Sequence, residues 1–65
     1  RYIAITITAP HIAPFELIPN AYKVLMAYMQ ANGYKGKWDG HIIDCFEKEY
    51  DLNGVWHMDV YIAIE

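Results

Sequence analysis

Cysteine is almost missing from this 65-residue chain, and Cys45 stands alone. A single thiol closes no internal disulfide and cannot build a zinc cage on paired cysteines, which fits a reducing cytoplasm. Basic residues are few as well. Five Lys and Arg face eight Asp and Glu for a net charge of −3, and only Lys35 and Lys37 lie close together. That pattern offers no electrostatic footprint for a phosphate backbone, so direct contact of this segment with nucleic acid is not expected. No apolar run approaches the length of a membrane span and no secretory pattern opens the chain, so no membrane partner is expected either. The three histidines, His11, His41 and His57, fall in separate segments without helical metal-ligand spacing, and neither metal nor cofactor is expected. The chain opens at Arg1 already inside a strand-like pattern, which suggests a piece of a longer protein or a trimmed start.

Aromatic residues, by contrast, are abundant. Six Tyr, two Trp and two Phe exceed what a core of this size encloses easily, so some should line a pocket or an interface. So short a chain makes one domain of marginal stability, because small domains bury a smaller share of their surface.

The C-terminal third organises the rest. Two β-rich runs flank Asn53-Gly54, a pair that supplies the positive φ angles of a tight turn, and together they predict an antiparallel hairpin over about 42–64. Its last run alternates: Val60, Ile62 and Ile64 share one face while Asp59, Tyr61 and Ala63 share the other. Residues 2–8 alternate in the same way, with Ile3, Ile5 and Ile7 opposite Tyr2, Ala4, Thr6 and Thr8, and predict another strand.

Between these lie a loop and a helix. Pro10 and Pro14 each remove a ladder donor, so 9–17 reads as a loop with Phe15 and Leu17 tucked beneath it. Pro19 suits the first turn of a helix, Ala21, Val24, Leu25, Tyr28 and Met29 form an apolar stripe, and Gly33 supplies a stop. The expected helix spans about 19–32, with Lys23 and Gln30 toward solvent, and 34–40 reads as a connecting loop.

The expected fold is therefore α+β: one strand-helix-strand-strand module, with a three-stranded antiparallel sheet, one helix on one face and the other face open to a partner module or a second copy. The open face should display Tyr2, Thr6, Thr8, Asp59 and Tyr61. A two-residue turn would set Phe46 beside Tyr61 and Glu47 beside Val60, whereas a bulge or an odd loop would exchange the faces. The second arrangement is the expectation, placing Phe46 in the core and Glu47 beside Tyr61.

Tyr2-Ile3-Ala4, Ile18-Pro19-Asn20-Ala21-Tyr22, the stretch Leu25 to Tyr28, Asn32-Gly33-Tyr34, Phe46-Glu47-x-x-Tyr50 and Met58-Asp59-Val60-Tyr61-Ile62 occur in that order. Together they resemble the GyrI-like effector-binding domain, the ligand-sensing C-terminal part of AraC-type and MerR-type transcription regulators, also found as a free-standing protein. The resemblance covers nearly the whole chain, though no single motif in it is specific. It implies a fold of two such modules about a pseudo-twofold axis with a groove between them, of which this chain has the length of one and looks like the second. It also implies multidrug sensing: an aromatic groove closed by a carboxylate that receives lipophilic cations, with Glu47 at the carboxylate position and Asp59 in reserve. Where the family strand often carries Pro, this chain has Ala63, a departure bearing on strand termination. A homodimer, or pairing with a missing first module, would complete the groove.

The chemistry stands beside the resemblance. A carboxylate among rings is poorly hydrated, and a cation with an apolar surface relieves the charge while stacking on the rings. The candidate ligand-binding residues are Glu47, Tyr61, Asp59, Tyr2 and Trp38, with Trp38 as a lid in a Gly-Lys loop. For Glu47 a solvated strand residue paired to Lys48 or Lys23 is the competing reading. Two other functions stay open. Glu47 and Asp59 could form a paired-acid hydrolase site, although no nucleophile, base and oxyanion arrangement is visible. The open face could instead serve only as a Tyr-rich homodimer interface. Cys45, next to Asp44, reads as inert packing rather than a nucleophile.

Overall fold

A computed structural model describes the backbone of residues 1–65 and all side chains except that of Asp39. Strand β1 (Tyr2–Thr8) is followed by a short 3-10 turn (Pro10–Ile12) and helix α1 (Pro14–Asn32). A small ribbon of β2 (Trp38–Asp39) and β3 (Ile42–Ile43) leads into the long hairpin of β4 (Cys45–Leu52) and β5 (Val55–Ala63). The main sheet is antiparallel and three-stranded in the order β1-β5-β4, with α1 against one face. The expected α+β architecture is present.

Strand β5 is central because its aliphatic residues must be covered on both sides and from above. Val60 and Ile62 are completely buried, and Ile7, Met58, Ile64, Ala21, Leu25 and Met29 close around them. Ile3↔Ile62, Ile5↔Val60 and Ile7↔Met58 pair across β1 and β5, so the isoleucines of β1 meet the core face as their alternation requires.

Helix α1 starts five positions before the expected one. Pro14, not Pro19, takes the first helical position, where a missing N–H is harmless, and Pro19 lies inside the helix. Phe15 consequently rides on the first turn at 94% exposure rather than under a loop, while Leu17 does pack against the core. Gly33 ends the helix at φ 70°, and the Tyr34 N–H returns to the Met29 carbonyl at 2.9 Å, the capping bond of a left-handed stop. The buried line of the helix passes through Ala21, Leu25 and Met29, with Ile18 and Tyr22 beside it, and Val24 and Tyr28 of the expected stripe stay 45% and 50% exposed. The stripe was wide enough to permit this rotation. Sheet position chose it.

The hairpin register differs from the expected one. Asn53 at φ 54° and Gly54 at φ 81° form a two-residue turn between Leu52 and Val55, so no bulge shifts the strands. Positive φ at both central residues is the conformation whose twist matches a hairpin, and Asn-Gly adopts it without strain. Phe46 therefore pairs with Tyr61, and Glu47 with Val60. Phe46 lies on the open face and Glu47 on the helix side, the reverse of the expected arrangement.

Ile62→Ala should remove the centre of this core and destabilise the domain by roughly 2–5 kcal/mol. Phe15→Ala, at the exposed first turn, should stay within about 0.5 kcal/mol of the parent. Urea unfolding followed by circular dichroism checks both, and equal midpoints for the two variants would contradict the core described here.

Candidate ligand-binding site

The face of the sheet opposite α1 holds a carboxylate surrounded by hydroxyls. Alternation along β5 turns Asp59 and Tyr61 to this face, pairing with β1 brings Thr6 directly opposite Asp59, and the two-residue turn delivers Tyr50 opposite His57. Thr6 Oγ1 donates to Asp59 Oδ1 at 2.7 Å, and the Tyr50 hydroxyl donates to the same oxygen at 3.0 Å. The Tyr61 hydroxyl donates to Oδ2 at 3.2 Å. These are charge-assisted bonds to an ionised acceptor.

Their electrostatic consequence is consistent across the cluster. The Thr6 hydroxyl, ahead of those of Tyr50 and Tyr61, holds the Asp59 carboxyl below its ordinary value, against an opposing push from burial. In return the Tyr50 phenol is raised, chiefly by its bond to Asp59, and the Tyr61 phenol is raised by burial and then by the Asp59 charge. At neutral pH the face therefore carries a fixed negative charge and neutral phenols.

Beside the carboxylate stands an aromatic shelf. Phe46 and Tyr61 stack with centroids 4.7 Å apart and 14° between planes. Tyr2 meets both edge-on, at 5.4 Å from Phe46 and 6.3 Å from Tyr61. Tyr50 and His57 stack at 5.5 Å on the other side of Asp59. Lys48 occupies the register position opposite Asp59, but the bonds to the carboxylate come from hydroxyls. The arrangement can hold a cation whose charge approaches Asp59 and whose apolar part lies on the exposed ring surfaces.

Of the residues expected to act together, Asp59, Tyr61 and Tyr2 do converge. Glu47 does not. On the helix side it faces the Tyr22 phenol, which is raised mainly by burial and further by Cys45 and Glu47. Glu47 pairs with Val60, whose side chain faces the helix, while its neighbour Asp59 points to the opposite face, so Glu47 and Asp59 form no pair of acids. Trp38 is also elsewhere: it is 61% exposed and borders a groove with Met26, Met29, Gln30, Tyr34 and Ile43 beside the end of α1. Phe46, Tyr50 and Thr6 join the cluster in place of Glu47 and Trp38. The spacing of Phe46 and Tyr50 could have shown that these two share a face from which Glu47 is excluded.

Among the described residues no group of three or more His, Cys, Asp and Glu is placed to hold a metal ion. Likewise, no helix is long and apolar enough to cross a membrane. Comparison with protein-family models, curated proteins and solved structures finds no match to this chain.

The lowered Asp59 value has a defined sign for stability. The ionised form is favoured in the folded chain, so its contribution is complete above the ordinary value of 3.8 and is lost as pH falls through the lower folded value. Asp59→Asn should therefore flatten the acid limb of a stability-against-pH curve, and Thr6→Val should move the Asp59 titration up toward 3.8. Denaturant midpoints between pH 2 and 6, with carboxyl chemical shifts, measure both; an unmoved Asp59 titration in Thr6→Val would refute the assigned cause.

Proposed function

We propose that the open sheet face binds a small lipophilic cation, with Asp59 as the charge partner and Tyr2, Phe46 and Tyr61 as the apolar shelf. One observation carries this reading. An ionised carboxylate is held by three hydroxyls, at 2.7, 3.0 and 3.2 Å, next to a stacked aromatic pair on an exposed surface. Hydroxyl donors orient a carboxylate and lower its pKa without cancelling its charge, so attraction for a cation survives. Rings alongside add a cation–π and stacking contribution of about 0.5–2 kcal/mol, larger where water is excluded. Together the two features select for a ligand that is both charged and flat or aryl-bearing over a small hydrophilic ion or a neutral hydrocarbon.

In this proposal the domain is an effector-binding module of a transcription regulator, the role implied by its resemblance to GyrI-like domains. With Glu47 on the helix side, the acidic role in this proposal falls to Asp59, the reserve position. The cation is the effector, and the segment itself touches no nucleic acid. Lys48 is the chain's own cation on this face and would compete with the ligand for the field of Asp59.

Titration of tetraphenylphosphonium by calorimetry, with amide shifts recorded for β5, tests the assignment. Asp59→Asn should weaken binding about tenfold or more, equivalent to about 1.4 kcal/mol. Glu47→Gln should leave it unchanged and Lys48→Met should tighten it. Equal affinity for the parent and Asp59→Asn would defeat the proposal.

A further inference from the structure

The two long edges of the main sheet are built differently. The β4 edge carries Glu47, Lys48, Glu49 and Asp51, charges of the kind that discourage another strand from pairing. Strand β1 reads YIAITIT and has no charge, proline or bulge along its length. An edge without such protection is a template for a further strand.

Its hydrogen-bonding groups can be assigned from the ladder. The Ile64 N–H donates to the Arg1 carbonyl at 2.9 Å and the Ala9 N–H donates to the Trp56 carbonyl at 2.7 Å, in the same register that pairs Ile5 with Val60. Odd-numbered residues of β1 thus turn their backbone groups toward β5, and Tyr2, Ala4, Thr6 and Thr8 turn theirs outward. Above this edge runs an apolar groove of about 350 Å³ lined by Ile3, Ala4, Ile5, Val24, Leu25 and Tyr28. Ala4 lines it although its side chain belongs to the opposite face, so the groove opens over the strand's edge. Val24 and Tyr28, left exposed by the rotation of α1, form its upper lip.

We infer that a second copy of this chain docks here, β1 against β1, antiparallel about a twofold axis at Ile5. In that register Tyr2 of one copy pairs with Thr8 of the other and Ala4 pairs with Thr6, so every outward-facing residue of the strand finds a partner. A strand free of charge meets itself without repulsion, which many other partners would not guarantee. The two α1 helices then lie on the same side and cover each other's Val24 and Tyr28, the burial that a bare strand pair lacks. Closure follows too. Twofold pairing uses the unprotected edge of each copy and leaves a charged β4 edge at both ends, so assembly stops at the dimer. Both Asp59 clusters come to lie on one continuous face, but the inference does not depend on what that face binds.

Light scattering across a concentration series, paired with amide hydrogen exchange by NMR, tests it. A dimer is expected in which the Ala4 and Thr6 amides are protected at high concentration and exchange freely on dilution. Ile5 and Ile7 amides should be protected throughout. Val24→Glu, at a side chain already exposed in one copy, should give a folded monomer that loses protection at the outward-facing amides, Ala4 and Thr6 among them, and keeps it at Ile5 and Ile7. A monomer at all concentrations, a species larger than a dimer, or a dimer in which Ala4 and Thr6 exchange freely would each overturn the inference. The exchange pattern of the parent chain decides the matter even if Val24→Glu fails to fold.

Discussion

The turn at Asn53 and Gly54 decides what β4 contributes to the open face and what it turns toward the helix. Because it spans two residues with positive φ, β4 and β5 meet without an extra residue, and each side chain of β4 is committed to one face. A shift by a single position would send Phe46 and Tyr50 under the helix and bring Glu47 and Glu49 out beside Asp59. Two carboxylates would then crowd Asp59 in place of a ring and a hydroxyl. The observed register avoids that repulsion and supplies Asp59 with a donor from each flanking strand.

The polar cluster and the apolar core are two sides of the same alternation. Val60 and Ile62 are sealed between α1 and the neighbouring strands, while Asp59 and Tyr61 emerge opposite. A charge on the exposed side of a small sheet is ordinarily left to water or to a lysine. Here the bonds come from Thr6, Tyr50 and Tyr61, neutral groups that fix the carboxylate without neutralising it. The same phenols extend their rings into the shelf formed with Tyr2 and Phe46, so one set of residues sets both the charge and the apolar surface next to it.

A single helix cannot cover a three-stranded sheet evenly. Buried through Ala21, Leu25 and Met29, α1 leaves Val24 and Tyr28 above the β1 edge, and the first turn carries Phe15 into solvent. Val24 and Tyr28 thus stand beside the edge whose backbone is unpaired and uncharged, while charges collect along β4. That asymmetry leaves the β1 edge without the charges that guard the β4 edge.

Alternation and turn chemistry made much of the structure legible. The two β runs, the Asn53-Gly54 hairpin, the Gly33 stop and the core of isoleucines, Val60 and Leu25 all follow from local rules of period and φ. So does the company of Tyr2, Asp59 and Tyr61 on one face. The expected helix start falls five residues late, because Pro14 reads as a loop residue although it suits a first turn as well as Pro19 does. Glu47 was misplaced because its side depends on parity across the turn, and Trp38 because the short β2–β3 ribbon holds it beside α1. The amino-acid sequence by itself determined which residues alternate and where the chain reverses, since both are properties of neighbours along the backbone. Tertiary structure alone decided which hydroxyls reach Asp59 and which flank of the helix is buried, because those depend on register and rotation between segments far apart in the chain.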